Sequence, residues 1–507
     1  MGPIIKNILR YKIQILIGLV IVIVFFSLRL PNLTLQPIFA DEAIYIRWAQ
    51  VMRAEPTLRF LPLTDGKTPL FMWATMPLLK IFPDPLFAGR FLSVMTGLLT
   101  LVGVFLLARK IFGIKVGFLA AFIYAVTPYT VFFDRMALVD SMLASFTIWA
   151  MYFALLLADR LRLDLAMILG YLLGGALLTK TPAMIHLLIL PVSVLGFKMK
   201  GKGRLVKLFA LWIIAIGIAI IMYNLLRLGP GFQMLSSRNN DYVFAIAELA
   251  GRPLDPFIPH LRDISDWFPK LLTWPIIGAL LVGVWFTIKT KNRLAAVIFL
   301  WALIPVLILM TFLRTFTARY LLFSIPPLLI IASYGLERLS ESLRIIRIPK
   351  SGFLIPIIFL FLTILPALQF DYQLLTSPPP KNLPKAETIG YFEDWTAGYN
   401  FEEIAKFLIE KKKEGPVVVG TEGYFGTLPD GLLIYLDKEN IQVVPGKSTV
   451  SAELVKTAEK IPTFYIANRN RVGSEVEHAK LIKEYLKHKP LDGRPQDAIV
   501  VYQVIPQ

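Results

Sequence analysis

The chain has 507 residues, 56% of them hydrophobic and 17% charged, with 53 Lys and Arg against 35 Asp and Glu, a formal net charge of +18 and no cysteine. A mean hydropathy of +0.63 excludes an average soluble domain and describes a polytopic α-helical membrane protein, whose excess positive charge belongs to cytoplasmic loops and anionic headgroups rather than to nucleic acid. The lack of cysteine excludes disulfides, thiolate metal sites and a cysteine nucleophile.

Lys6, Arg10 and Lys12 precede an apolar run at 13–30 that is longer than a cleaved signal segment and lacks a small-x-small site, so it reads as an uncleaved first span with a cytoplasmic N-terminus. Spanning a bilayer takes about 20 helical residues, and about eleven apolar runs approach that length. They fall at 13–30, 88–108, 115–133, 137–158, 164–179, 181–197, 206–227, 271–288, 294–313, 318–335 and 352–370. Alternate connections carry the basic residues: Arg109, Lys110 and Lys115; Arg160 and Arg162; 198–207; Lys289, Lys291 and Arg293; and Arg338 to Lys350. By the positive-inside rule these face the cytoplasm.

The opposite face then holds the loop 31–87, the turns at Asp134 and Lys180, the loop 228–270, the turn at Arg314 and everything beyond about residue 371. Apolar spacing within the first loop predicts interfacial helices at 41–52 and 70–81. The loop 228–270 is read as a mobile cover, and Ser377-Pro378-Pro379-Pro380 marks 371–400 as a stiff linker. Residues 401–507 have the composition of a small extracytoplasmic α/β domain, with helices expected at 401–412, 451–459 and 476–487 and strands at 417–420, 441–444, 463–467 and 498–504. It contains no glycine-rich phosphate loop.

Asp41, Glu42, Lys67, Asp134, Arg135, Asp140, Lys180, Arg314 and Arg319 all fall at or near the external ends of spans. Chemistry at one membrane face suits an enzyme meeting a lipid-linked substrate better than a transporter, whose polar residues gather at the midplane of repeated halves. A donor attached to lipid through phosphate needs cations for the charge that builds as its bond breaks, and an acceptor needs a carboxylate base. Lys67, Arg135, Lys180 and Arg319 are candidates for the first task and Asp41 for the second, with Glu42 and Asp134 as possible supports and Asp140 an acid kept where burial is costly.

Each residue also has a plainer reading. Asp41 fits a helix N-cap, Glu42 a favourable helix-terminal charge, Asp134 and Arg135 a local surface ion pair, and the cations headgroup anchors. His186 reads as a hydrogen-bonded helix residue and His260 as a loop residue.

Several short pieces occur in a telling order: Asp41-Glu42 after the first span, Gly66-Lys67-Thr68-Pro69, Arg90-Phe91-Leu92-Ser93, Asp134-Arg135 with Asp140-Ser141, Leu178-Thr179-Lys180-Thr181-Pro182 and Ala318-Arg319-Tyr320-Leu321. Over residues 1–370 the chain resembles the GT-C integral-membrane glycosyltransferases, near the protein O-mannosyltransferases (glycosyltransferase family 39) and the lipid A aminoarabinose transferases. The resemblance implies a transmembrane catalytic domain, a polyprenyl-phosphate-sugar donor, an extracytoplasmic site and transfer with inversion to a protein, glycan or lipid hydroxyl. It further implies Asp41 as base, Asp140 as a second acid and Lys67 as a phosphate ligand, with Lys180 and Arg319 beside them. Asp41, Glu42 and Asp140 carry hard oxygens suited to Mg²⁺ or Mn²⁺, but they lie on two separated segments and no metal is predicted to be required. The alternatives are a transporter or flippase of lipid-linked sugars and a membrane scaffold for a partner of the C-terminal domain.

Overall fold

The computed structural model describes residues 3–197, 202–252, 254–345, 354–473 and 476–506. Six helices among them are long and apolar enough to cross a membrane: Tyr11–Arg29, Pro85–Phe112, Val139–Arg160, Lys202–Leu228, Arg293–Phe312 and Ala318–Leu343. Two bent pairs raise the number to eight, Ile114–Val126 with Pro128–Asp134 at 59° and Phe257–Leu271 with Trp274–Lys289 at 111°. The chain is a multi-pass membrane protein. Leu163–Thr179 and Thr181–Gly196 are apolar but shorter, and Leu354–Thr376 is helical as well.

The breaks have local causes. Pro128 brings no N–H to the helix ladder and opens a new first turn. At the sharper bend Thr273 adopts φ +71° before Pro275, and Phe257–Leu271 buries only His260, Trp267 and Leu271. His260, expected in a loop, therefore lies on this helix, with its Nδ1 2.8 Å from the Met310 carbonyl. His186 is buried edge-on to Phe323, and its Nδ1 has no hydrogen-bond partner among the described residues. Helices Trp274–Lys289 and Ile325–Ile345 cross at glycines. A Cβ on Gly283 would stand 2.1 Å from the Ile331 carbonyl oxygen, so only glycine permits this approach.

The loop 31–87 carries both expected helices, α1 (Ala40–Ala54) and α2 (Leu70–Ile81). The loop expected as a cover is largely helical, with short turns at Met234–Ser237, Asn239–Tyr242 and Ile246–Ala250 before Phe257–Leu271. It is tied down where Arg314 pairs with Glu248 at 2.8 Å and where Arg238 reaches Asp65 at 3.3 Å.

The stretch 371–400, expected as a linker, folds back on the bundle. It completes helix Leu354–Thr376 and forms the turns Lys385–Thr388 and Ile389–Glu393. Its short strand β2 (Ala397–Gly398) pairs antiparallel with β1 (Ile38–Phe39), which immediately precedes α1. Burial of Glu387, Tyr391 and Phe392 explains the order that prolines alone do not provide.

Beyond it lies a five-stranded sheet of β3 (Val418–Glu422), β4 (Gln442–Gly446), β5 (Thr463–Asn468), β6 (Ala479–Leu486) and β7 (Ala498–Val504), in the order β4-β3-β5-β7-β6. The first three strands are parallel and the last two antiparallel. Helices Phe401–Glu414 and Ala452–Ala458 match the sequence pattern, whereas 476–487 contains the edge strand β6 and not a helix. Its Lys and Glu residues favour a helix in isolation, but pairing with β7 overrides that preference, and the same charges guard an exposed edge.

Candidate active site

The site begins with how α1 is capped. Phe39 occupies the N-cap position, and the Glu42 carboxylate reaches back to accept its N–H at 3.0 Å. Asp41 is thereby released from the capping role that its position suggested. Its Oδ2 accepts from Arg319 Nη2 at 2.6 Å and its Oδ1 lies 3.4 Å from Lys67 Nζ, with a fifth of the side chain still exposed. Burial raises the Asp41 pKa, but Lys67 and Arg319 outweigh it and hold the carboxyl below its usual range.

Lys67 reaches this position because the preceding turn ends in Gly66 at φ +68°. A Cβ there would come within 2.7 Å of Arg238 Cβ and 2.9 Å of the Met234 carbonyl oxygen, so the turn requires glycine. Asp65 lies 3.5 Å from Lys67 Nζ and 3.3 Å from Arg238, tying the turn to the covering segment. The ammonium also lies over Tyr45 and Trp48 of α1, at 5.2 and 5.8 Å from their ring centres. Burial lowers the Lys67 pKa, but Asp41, Tyr45, Asp65 and Tyr242 together more than reverse this and keep the amine charged.

A second ion pair stands beside the first. Asp140, in the first turn of Val139–Arg160, accepts from Lys180 Nζ at 2.6 Å, while its Oδ2 is buried without a hydrogen-bond partner among the described residues. Lys180 closes helix Leu163–Thr179 and lies 4.0 Å from the centre of the Tyr320 ring. Arg319 stacks on the same ring at 5.4 Å and on Phe39 at 5.2 Å. Tyr320 thus joins the pairs, and Asp41, Lys67, Asp140, Lys180 and Arg319 form one cluster.

The remaining expected residues lie outside it. Glu42 is fully buried; it pairs with Arg90 through both oxygens at 2.8 Å and accepts the Ala137 N–H at 2.6 Å. Asp134 is equally buried and binds Arg29, Tyr124 and Ser141, so it forms no local pair with Arg135. Arg135, expected as a phosphate ligand, lies apart from the cluster: its guanidinium donates through Nη1 and Nη2 to the carbonyls of Arg29, Pro31 and Asn32 at the end of the first span. Among the described residues no three His, Asp or Glu side chains converge as metal ligands.

Other contributors were missed. Tyr320 follows Arg319 within a motif already singled out, so its neighbour was the available signal. Glu387 lies in the expected linker. Its Oε1 accepts the Ala318 N–H at 3.0 Å, and Tyr129 donates its hydroxyl to the Ala318 carbonyl, which fixes the backbone just before Arg319. Burial pushes the Glu387 carboxyl up to about 7, against the opposing influence of the Ala318 N–H and Arg319. The Ala40 N–H donates to the Thr396 carbonyl at 3.0 Å, so the segment also anchors the residue preceding Asp41.

Solved structures share this architecture. ArnT from Cupriavidus metallidurans in the apo state aligns over 98% of this chain and 100% of its own, with a TM-score of 0.59 at 15% identity. The fold is that of the GT-C glycosyltransferases. The same ArnT bound to undecaprenyl phosphate gives a TM-score of 0.58 at 16% identity, covering 97% of this chain and 98% of that one. Archaeal oligosaccharyltransferase AglB from Archaeoglobus fulgidus, in complex with an inhibitory peptide and a dolichol-phosphate, gives 0.54 at 12%, over 91% of this chain and 70% of AglB. A sequence profile described as dolichyl-phosphate-mannose-protein mannosyltransferase matches residues 66–226. That match spans Lys67, Asp140 and Lys180 but neither Asp41 nor Arg319. No curated protein matches the sequence.

Proposed function

We propose that the protein transfers a sugar from a polyprenyl-phosphate donor to an acceptor hydroxyl, with inversion, and that Asp41 is the base. The carrying observation is the Asp41 carboxylate with Arg319 on one oxygen and Lys67 on the other, beside the Asp140–Lys180 pair. Base and phosphate-binding cations are thus within one group's reach of each other. The undecaprenyl phosphate and dolichol-phosphate held by the ArnT and AglB neighbours support a donor of this class.

In this mechanism the acceptor oxygen attacks the anomeric carbon while its proton passes to Asp41. The bond from that carbon to the phosphate oxygen breaks, and its electron pair leaves with polyprenyl phosphate. Lys67, Arg319 and Lys180 stabilise the charge developing on the phosphate. Asp140 orients Lys180. No metal is required in this reading, and transfer is expected to persist in excess EDTA.

The catalytic domain comprises residues 1–370 with about eleven crossings, the connecting segment 371–400, and the soluble domain 401–507. The N-terminus faces the cytoplasm, with the site and soluble domain outside, as the basic loops require.

The test is hydrolysis of a radiolabelled polyprenyl-phosphate sugar by reconstituted protein, with mannose tried first because of the profile match. Native protein is expected to release sugar slowly into water, and Asp41→Asn to release none while still binding the lipid. Equal release by both would remove Asp41 as the base.

A further inference from the structure

The soluble domain presents to the active site the edge at which parallel α/β sheets ordinarily bind ligands. From β3 the chain crosses to β4 on one side, then returns past β3 to β5 on the other. Ligand crevices form outside the carboxyl ends of strands at such a switch point. Here those ends are Glu422 and Asn468, joined by a hydrogen bond of 2.6 Å.

The connection leaving β3, Gly423-Tyr424-Phe425-Gly426-Thr427-Leu428-Pro429, runs from this edge to the catalytic helix. The Phe425 ring lies 5.7 Å from Trp48 at a 36° tilt, and Trp48 in turn lies 5.8 Å from Lys67 Nζ. Just beyond the connection, Asp437 pairs with Arg47 at 2.6 Å and the Ile434 carbonyl accepts from Gln50 at 2.8 Å, locking this part of the domain onto α1. The connection is itself braced: Thr427 donates to the Trp395 carbonyl at 2.8 Å, and the Gly426 N–H to Asp430 at 2.8 Å. Even so, Tyr424 is 64% and Phe425 45% exposed. Phe425 rests on Trp48 with one part of its ring, and the remainder of that ring and most of Tyr424 stay open on a braced segment beside the catalytic helix.

We propose that 423–429 is the acceptor wall of the active site and that its acceptor is a neutral glycan, bound by stacking of a sugar ring on Tyr424 and Phe425. The proposal rests on the glycosyl-transfer reading and names the acceptor class for that site. Aromatic faces pack against the C–H face of a pyranose, and the Tyr424 hydroxyl adds a polar handle. The segment carries no charged residue, which disfavours an acceptor recognised through phosphates or through a charged peptide.

The test uses full-length protein in liposomes with labelled polyprenyl-phosphate mannose. Transfer is compared among neutral gluco-, manno- and galacto-configured oligosaccharides, a Ser/Thr peptide and the vesicle lipids. Label is expected in an oligosaccharide, with an acceptor KM raised about tenfold or more in Tyr424→Ala/Phe425→Ala and restored in Tyr424→Phe/Phe425→Tyr. The alanine variant should keep the native unfolding temperature in detergent, which separates a faulty acceptor wall from a failed fold. Transfer to peptide or lipid in preference to every oligosaccharide, transfer to none of the acceptors, or an unchanged KM in the alanine variant would overturn the proposal. Loss of the glycosyl-transfer reading would show instead as donor hydrolysis indifferent to Asp41→Asn.

Discussion

Asp41 and Glu42 are adjacent carboxylates on one helix, yet they belong to two different kinds of polar cluster. Glu42 is fully buried and its oxygens meet Arg90, the Ala137 N–H and the Phe39 N–H. Asp41 is paired with two cations but remains a fifth exposed. The same contrast separates Asp134, saturated by Arg29, Tyr124 and Ser141, from Asp140, which keeps one oxygen unpartnered among the described residues. Glu42 and Asp134 have both oxygens engaged, whereas Asp41 and Asp140 keep capacity beside the cations, which a substrate-binding role needs. Side chains one position apart on a helix diverge by about 100°, which is enough to assign neighbours to opposite roles.

The largest expected effect falls on the candidate site. Asp41→Asn should reduce transfer by about 10²–10⁴-fold, the range for loss of a general base, with an unchanged unfolding temperature in detergent. Arg90→Met should do the converse. It leaves Glu42 buried without its cation, at a cost of about 3–5 kcal/mol, and should lower thermal stability and folded yield; a variant of native stability would collapse the distinction.

A smaller effect distinguishes the two classes of arginine and lysine. Lys67→Met should raise donor KM by about 10–100-fold, as for loss of a charge-assisted hydrogen bond. Because Lys67 helps hold Asp41 below its usual carboxylate range, the same variant should move the acidic limb of the activity profile to higher pH. Arg135→Met should destabilise the end of the first span while leaving donor KM in the surviving folded protein unaltered. A KM shift there equal to that of Lys67→Met would restore Arg135 to the phosphate site.

These differences also explain what could be read from the chain alone. Helix α2 was legible to the residue because an apolar run bounded by Pro69 and Pro83 has few alternatives. The cluster cations were legible because they sit at span ends. Arg135 was not, since its partners are carbonyls near residue 30 whose approach depends on helix packing, and Asp134 found Arg29 rather than its neighbour. Local composition misread 476–487, where strand pairing decides. Glu387 was invisible for a related reason: a single acid after a proline-rich stretch gives no sign of being buried against Ala318.

Glu387 gives the smallest expected effect. Its carboxyl is raised from 4.5 to about 7, chiefly by burial. Between those values the folded protein retains a proton that the unfolded chain releases, so this group's contribution to stability is fully present below about pH 4.5, declines as pH rises, and is lost above about 7. The span is on the order of 3 kcal/mol. Glu387→Gln keeps an acceptor for the Ala318 N–H but cannot ionise. It should unfold at a temperature near that of native protein at pH 5 and at a higher one at pH 8, with the Asp41–Arg319 pairing and transfer retained. A stability difference that does not change with pH would place the Glu387 carboxyl in its ordinary range, and a loss of transfer without loss of stability would move it from bracing Arg319 into the reacting site.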